Sequence, residues 1–251
     1  MNKASYIFTA CEWNGCSGDN GGAISTTANV DLTIENCKLI SCKATYKNGG
    51  GLYAVGANIV HVKSTLFQQC EALTKESENV GGGGMYIRRN TAEVFISSTD
   101  VIGCAVRYDG GGVNMWSCYS TRGLSHSFQD CHIIDSHGNA NLLGKGNEGG
   151  GLMLWGNRYS LVMTEMIIKG CYNYYGGGFQ HYYAGTPISS PVQFSFFNGN
   201  SATFGKDAYI DNINVYSSSV PFFLHSFSFG TGTDNVMEYP TSNRYLNWVL
   251  H

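Results

Sequence analysis

Cysteine is the residue type in this sequence whose spacing most invites a chemical interpretation. The chain has nine cysteines, and most of them follow an apolar residue in an apolar-x-x-Cys step. Regularly spaced thiols could bind a metal or exchange electrons, but no Cys-x-x-Cys pair occurs, and an odd count excludes a fully paired disulfide framework. The histidines are scattered rather than grouped as ligands. We therefore predict no metal site, no cofactor and no catalytic cysteine, and we interpret the thiols as small buried side chains.

Carboxylates could also carry chemistry, because glycosidases and lyases hold acidic or basic groups across a sugar ring. Asp109 and Glu148 immediately precede two successive glycine clusters, whereas Asp207 lies well apart from them. Acidic residues are common beside turns, so the pair does not by itself indicate an active site. We name no catalytic residue. A carbohydrate-active enzyme, either a polysaccharide lyase or a glycoside hydrolase, is the alternative function.

Aromatic residues supply the strongest candidate for a binding surface. Trp116, Trp155 and Tyr182 each stand four residues after the last glycine of a cluster. Arg88 occupies the same place after an earlier cluster, and Tyr86 lies two residues before it, on the same face of an extended strand. Large aromatic side chains are costly to leave in water, so we predict that these five residues bind a glycan or a protein. The competing interpretation is that another segment covers them as ordinary core.

An internal repeat positions all of these residues. The apolar-x-x-Cys steps, in which Ser136 and Asn200 replace cysteine, recur at intervals of 26, 28, 34, 32, 35 and 29 residues. Such irregular intervals suit strands joined by variable loops, and rungs of three short strands need about 20 to 30 residues per circuit. We predict an all-β, single-stranded, right-handed parallel β-helix of about seven rungs. The glycine clusters of the repeat end at Gly22, Gly51, Gly84, Gly112, Gly151 and Gly178.

The strand period of two assigns side chains to faces. Counted from the last glycine of each cluster, the first and third residues point inward and the second and fourth point outward. This count places Ala23 inside the first strand. It stacks the following residues inside the later ones: Leu52, Met85, Val113, Leu152 and Phe179.

Two columns of small side chains are predicted to form interior ladders. Neighbouring rungs bring Cα atoms within disulfide range, so Cys42 could be bridged to Cys16 or to Cys70 in an oxidising compartment. No signal peptide is visible, and we expect the thiols to be mostly reduced and buried. The first ladder contains Cys16, Cys42, Cys70, Cys104, Ser136, Cys171 and Asn200, and the second contains Cys11, Cys37, Thr65, Thr99, Cys131 and Ser195.

Two short motifs carry a family resemblance. Gly21-Gly22-Ala23-Ile24 and Phe197-x-x-Asn200 resemble the GGA(I/L/V) and FxxN repeats of polymorphic outer membrane protein (Pmp)-like surface proteins of bacteria and protists. The resemblance covers about residues 5 to 215, with Gly-Gly-Gly-apolar and apolar-x-x-Cys replacing the two motifs in other copies. It implies a right-handed parallel β-helix, of the pectin-lyase-like kind, that serves in adhesion. It also implies an extracellular or cell-surface location.

Composition limits the classes of partner. A net charge of −3 and a pI of about 6.1 offer no basic excess, so we expect no nucleic-acid binding. The longest apolar stretch, 161–168, is far shorter than the roughly 20 residues of a membrane-spanning helix, so we expect no membrane insertion. The sequence begins almost inside a rung, which indicates a module of a larger polypeptide or assembly.

The predicted organisation is a β-helix over residues 1–229 and a C-terminal capping segment or linker over residues 230–251. The function that we expect is a non-enzymatic surface or adhesion module that binds a glycan or a protein along the aromatic residues. The carbohydrate-active enzyme is the first alternative, and a purely structural spacer is the second.

Overall fold

A computed structural model gives the fold of the chain. The structure describes residues 4–27, 29–73, 81–88, 93–107, 109–116, 118, 125–138, 149–155, 160–182, 192–193, 195–202, 208–211, 227–229 and 236–239. In these ranges the secondary structure is entirely β and turn, and no helix there is long and apolar enough to cross a membrane.

The described strands form four parallel sheets that run along one solenoid, and each strand pairs with its equivalent in the next coil. The first sheet contains β1 (Ala4–Thr9), β5 (Val30–Glu35), β9 (Ile59–Lys63), β13 (Glu93–Ser97), β17 (Ser125–Gln129), β20 (Ser160–Thr164) and β23 (Val192–Gln193). The second contains β2 (Glu12–Asn14), β6 (Lys38–Ile40), β10 (Leu66–Gln68), β14 (Asp100–Ile102), β18 (His132–Ile134), β21 (Ile167–Lys169), β24 (Ser195–Asn198) and β26 (Phe227–Phe229).

The third and fourth sheets complete the cross-section. The third contains only two-residue strands, namely β3 (Ser17–Gly18), β7 (Lys43–Ala44), β11 (Glu71–Ala72) and β15 (Ala105–Val106). The fourth contains β4 (Ile24–Thr26), β8 (Leu52–Val55), β12 (Met85–Arg88), β16 (Val113–Trp116), β19 (Leu152–Trp155), β22 (Phe179–Tyr182), β25 (Ala208–Asp211) and β27 (Val236–Tyr239). The parallel β-solenoid is therefore confirmed, with four strands rather than three in the first coils. Strand β27 lies within the stretch 230–251 that we expect to act as a cap or linker.

The predicted register of the fourth sheet is confirmed in five coils. Met85 pairs with Leu52 and with Val113, and all three side chains are buried. Leu152 continues the same interior column, because it pairs with Val113 on one side and with Phe179 on the other. These stacked side chains form one continuous apolar core.

The first coil departs from the predicted count by one residue. Leu52 pairs with Ile24, not with Ala23, and Ile24 is the buried side chain. Ala23 takes the place of a third glycine, since its amide donates to the carbonyl of Gly51 at 3.1 Å. The prediction that Ala23 occupies the first strand position is therefore wrong, although its side chain does pack against the core.

Close approach of backbones explains the glycine clusters. A Cβ added at Gly111 would overlap the backbone nitrogen of His137 and the carbonyl oxygen of Gly150. The same overlap with third-sheet backbone would occur at Gly50 and Gly83. The chain entering the fourth sheet therefore passes directly against the third sheet, and only glycine fits between them.

The two interior ladders lie at two corners of the coil. At each corner a residue with φ between 45° and 65° precedes the small interior residue, as Asn36 precedes Cys37 and Ser64 precedes Thr65. The small side chain then donates to the carbonyl two residues earlier: Cys37 Sγ lies 3.2 Å from the Glu35 oxygen. A short side chain with a donor suits this corner, which accounts for cysteine, serine and threonine there.

A buried histidine is part of the same interior. His126 in β17 is 0% exposed, and its Nδ1 accepts a hydrogen bond of 2.9 Å from the amide of Val94. Burial lowers the pKa of His126 from 6.5 to about 3, because a charged imidazole would lose its hydration.

We expect acid to destabilise the fold through His126. Between pH 6.5 and pH 3, His126 is protonated in the unfolded chain but neutral in the folded chain. The free energy of unfolding therefore decreases as the pH drops through this window. The loss should reach about 2 kcal/mol at pH 5. Melting temperatures at pH 7.5 and pH 5 measure it, and His126→Gln, which keeps an acceptor for Val94, should show a smaller decrease. Equal decreases in the two proteins would contradict this role for His126.

Candidate functional site

The fourth sheet brings the predicted binding residues into one column. Trp116 pairs with Arg88 in β12 and with Trp155 in β19, and Trp155 pairs with Tyr182 in β22. Each residue ends its strand at the same corner of the coil. The side chain of Tyr182 lies outside the described part of the structure, so the column is established for Arg88, Trp116 and Trp155, which we call the Arg-Trp stripe.

The two indoles of the Arg-Trp stripe stack on each other. The ring centroids of Trp116 and Trp155 are 4.7 Å apart, and the rings are inclined by only 8°. The guanidinium carbon of Arg88 lies 5.8 Å from the Trp116 ring, within the range of a cation–π interaction. Because Trp116 has a neighbour on both faces and is still half-buried, the part that it offers to solvent is mainly the ring edge.

Tyr86 does not contribute to the surface as predicted. Its side chain is 0% exposed, and it stacks on Tyr53 of β8 with ring centroids 5.6 Å apart. Burial raises the pKa of Tyr86 above its usual value, although nearby Arg88 opposes this. The assignment of Tyr86 to an exposed stripe is therefore wrong, and the residue instead packs against Tyr53 on the outer face of the sheet, away from solvent.

Turn geometry explains the burial of this second strand position. Asn114 and Met153, which follow Tyr86 in the column, are also fully buried. In these two coils a glycine with positive φ, four residues earlier, lies against the side chain: a Cβ on Gly110 would lie 2.6 Å from the Asn114 Cβ. A Cβ on Gly149 would lie 2.7 Å from the Met153 Cβ. Strand alternation alone could not reveal this cover, and the glycine alone does not signal it, because Gly21 stands four residues before Ser25, which is exposed.

The carboxylates that could suggest an enzyme are dispersed. Asp109 is buried, with 4% of its surface exposed, and Glu148 lies outside the described residues. Several half-buried carboxylates pair with the neighbouring coil: Asp100 lies 2.9 Å from Nδ1 of His132, and Glu35 lies 3.3 Å from Nζ of Lys63. Within the described ranges, His, Cys, Asp and Glu side chains form no group of three that could hold a metal ion.

The nine thiols are all free, seven of them buried and two partly exposed. Burial raises the pKa of Cys131 and of Cys171 to about 12, so these thiols stay protonated at neutral pH. The thiols instead donate hydrogen bonds to backbone carbonyls: Cys171 Sγ lies 3.5 Å from the Ile133 oxygen of the neighbouring coil. The interpretation of the ladders as interior side chains is confirmed for the buried members, whereas Cys11 and Cys16 are only partly buried against the core. Met166 fills the remaining position of the second ladder.

No family model, no curated protein and no solved structure matches this chain. The Pmp-like resemblance therefore rests on the two motifs alone, whereas the repeat architecture rests on the pairing of the strands. The chain is a parallel β-solenoid repeat protein.

Proposed function

We propose that this chain is a non-enzymatic binding module that contacts a protein partner through the Arg-Trp stripe. The observation that carries the proposal is the stack of Trp116 on Trp155, which stays partly exposed on successive coils. Tryptophan and arginine are the residue types most enriched at the energetic centres of protein interfaces. Here both types occur together on a rigid sheet, so little side-chain entropy would be lost on binding.

The orientation of the rings favours a protein over a glycan. A sugar ring packs on a free aromatic face, but Trp155 and Arg88 occupy the two faces of Trp116. The exposed ring edges of Trp116 and Trp155 instead form an apolar strip along the solenoid axis. Such a strip suits an extended protein segment that lays apolar side chains across successive coils. An adhesion role at a cell surface, as the Pmp-like resemblance implies, is part of this proposal.

We expect the double variant Trp116→Ala/Trp155→Ala to lose partner binding without losing the fold. Loss of an indole at an interface centre costs about 2 kcal/mol or more, which is roughly thirtyfold in Kd, and the double change should exceed this. A phage-displayed random peptide library selected on the wild-type chain supplies the probe, and the Kd of the best synthetic peptide is the measurement. Tyr172→Ala is a matched control, since Tyr172 is 40% exposed and stacks on His137 in another column.

The same proteins separate the competing functions. Equal peptide affinity for the wild type and the double variant would contradict the proposal, as would failure to select any peptide. Binding of the wild type on a glycan array, without peptide binding, would identify a glycan module instead. Release of soluble sugar from polysaccharides would support the carbohydrate-active enzyme. A structural spacer predicts none of these signals.

A further inference from the structure

Arg88 carries a positive charge at one end of the Arg-Trp stripe, and none of the ion pairs among the described residues includes it. Its side chain is half-buried, and its Nε is shielded from water without a hydrogen-bond partner. The guanidinium lies beside the Trp116 ring, 5.8 Å from the ring centroid to its carbon, and beside the Tyr86 side chain. A guanidinium in this state would gain charge-assisted hydrogen bonds from an incoming carboxylate.

The carboxylates of the neighbouring strands already have partners or lie far away. In the first sheet, Asp31 accepts a hydrogen bond of 2.6 Å from an asparagine of the next coil, and Glu93 lies 3.1 Å from Nε2 of His61. In the fourth sheet, the strands from β4 to β22 contain no acidic residue. Asp211 of β25 is four coils from Arg88. This separation is about 19 Å at the usual strand spacing, which exceeds the Debye length at physiological salt.

The chain segments that carry the Arg-Trp stripe are basic. Each segment consists of a stripe strand and the residues that follow it, and the three segments contain no aspartate or glutamate. The segments are residues 85–92, 113–124 and 152–159. They contain four of the six arginines of the chain, namely Arg88, Arg89, Arg122 and Arg158. The last three lie outside the described residues, and each follows a stripe residue by six positions or fewer. Because the whole chain has a net charge of −3, this positive charge is local.

We propose that the partner segment on the Arg-Trp stripe is acidic, with a carboxylate on Arg88 and an apolar side chain on the ring edges of Trp116 and Trp155. This acidic partner refines the peptide-binding function proposed above and rests on it. Arg88 and Trp155 are two coils apart, or about 10 Å, and an extended chain rises about 3.3 Å per residue. The carboxylate and the apolar side chain should therefore stand within about three residues of each other in the partner.

A single-stranded nucleic acid is the other polymer that combines negative charge with apolar rings. Its bases bind proteins by stacking on free aromatic faces. The two faces of Trp116 are covered by Trp155 and Arg88, so a base could not stack there without displacing one of them. An acidic protein segment needs only the ring edges and the guanidinium, and it is therefore the occupant that fits this arrangement.

Peptides selected from the phage-displayed library on the wild-type chain supply the first test. Aspartate and glutamate should be enriched severalfold over the unselected library, and lysine and arginine should be depleted. The best synthetic peptide is then compared with its uncharged form, in which each acidic residue is replaced by its amide. We expect the wild type to bind the uncharged peptide about tenfold more weakly, and this difference should shrink as the NaCl concentration rises.

Arg88→Gln tests whether Arg88 itself receives the carboxylate. This variant should bind the acidic peptide about tenfold more weakly than the wild type does, but the uncharged peptide equally well. Equal binding of the uncharged peptide also shows that the variant is folded. Arg88→Lys, which keeps the charge, should recover part of the lost affinity. Arg107→Gln is the matched control, because it removes the same charge from an exposed position after β15 and should leave both Kd values unchanged.

Two results would overturn the acidic partner and leave the peptide-binding function intact. One is selection of peptides that need Trp116 and Trp155 but contain no acidic residue, and the other is equal affinity of the wild type and Arg88→Gln for the acidic peptide. Tighter binding of oligothymidylate than of the acidic peptide would identify a nucleic acid as the occupant instead. Failure to select any peptide, or binding that is unaffected by Trp116→Ala/Trp155→Ala, would overturn both proposals.

Discussion

Replacing Leu152 with aspartate should abolish the cooperative unfolding transition of the solenoid. Leu152 is 0% exposed, and its side chain lies in the interior column between Val113 and Phe179. An aspartate there would bury a charge with no partner, which costs about 4 kcal/mol or more, a large share of the stability of a typical domain. Circular dichroism during thermal unfolding is the measurement.

Gln129→Asp provides the matched control for that substitution. Gln129 ends β17, and its side chain is exposed, so the same negative charge stays hydrated there. We expect this variant to melt within a few degrees of the wild type. A wild-type transition in Leu152→Asp would show that the fourth sheet does not direct this residue inward, and the register of the sheet would then be wrong.

A single methyl group at Gly111 should also be strongly destabilising. The added Cβ would overlap backbone atoms of His137 and Gly150, and backbone cannot rotate away as a side chain can. The backbone at His137, which bridges to Ala105 of the third sheet, would have to move away from the fourth sheet. We therefore expect the free energy of unfolding of Gly111→Ala to fall by about 3 kcal/mol, an effect of overpacking. Urea unfolding followed by circular dichroism gives the change in free energy.

Gly103→Asn tests whether the effect depends on position rather than on glycine in general. Gly103 has φ of 60°, and its nearest neighbour for an added Cβ is Cγ of Gln69 at 3.8 Å. Asparagine tolerates this conformation, and Ser41 and Gln69 already adopt it at the same corner. The free energy of unfolding of Gly103→Asn should stay within about 1 kcal/mol of the wild type. Equal losses in the two variants would contradict the packing explanation.

Much of the fold could be predicted because the repeat depends on short-range sequence patterns. The glycine cluster before each strand and the alternation along it predict that residues such as Met85 and Leu152 face inward. Parallel stacking then aligns equivalent residues of successive coils. Alignment of the clusters at their last glycine misplaces the first coil by one residue. The glycine with positive φ is the better reference, since Gly21, Gly49 and Gly82 each stand three residues before the first buried residue of the strand.

The candidate site was less accessible to sequence analysis. Alternation correctly placed Arg88, Trp116 and Trp155 in one outward column, because these residues end equivalent strands. It could not show that Tyr86 is buried, since that depends on packing on the outer face of the sheet, where its ring stacks on Tyr53. It also could not show that the indole rings of Trp116 and Trp155 stack face to face, since ring orientation depends on packing between coils.

Oxidative footprinting of the tryptophans, with and without the selected peptide, tests the central claim most directly. Trp13, Trp116 and Trp155 are all partly exposed in the free chain, so each should react with hydroxyl radicals and be quantified by mass spectrometry. Saturating peptide should reduce oxidation of Trp116 and Trp155 severalfold and leave Trp13 unchanged. Undiminished oxidation of Trp116 and Trp155 in the bound state would contradict the Arg-Trp stripe as the binding surface.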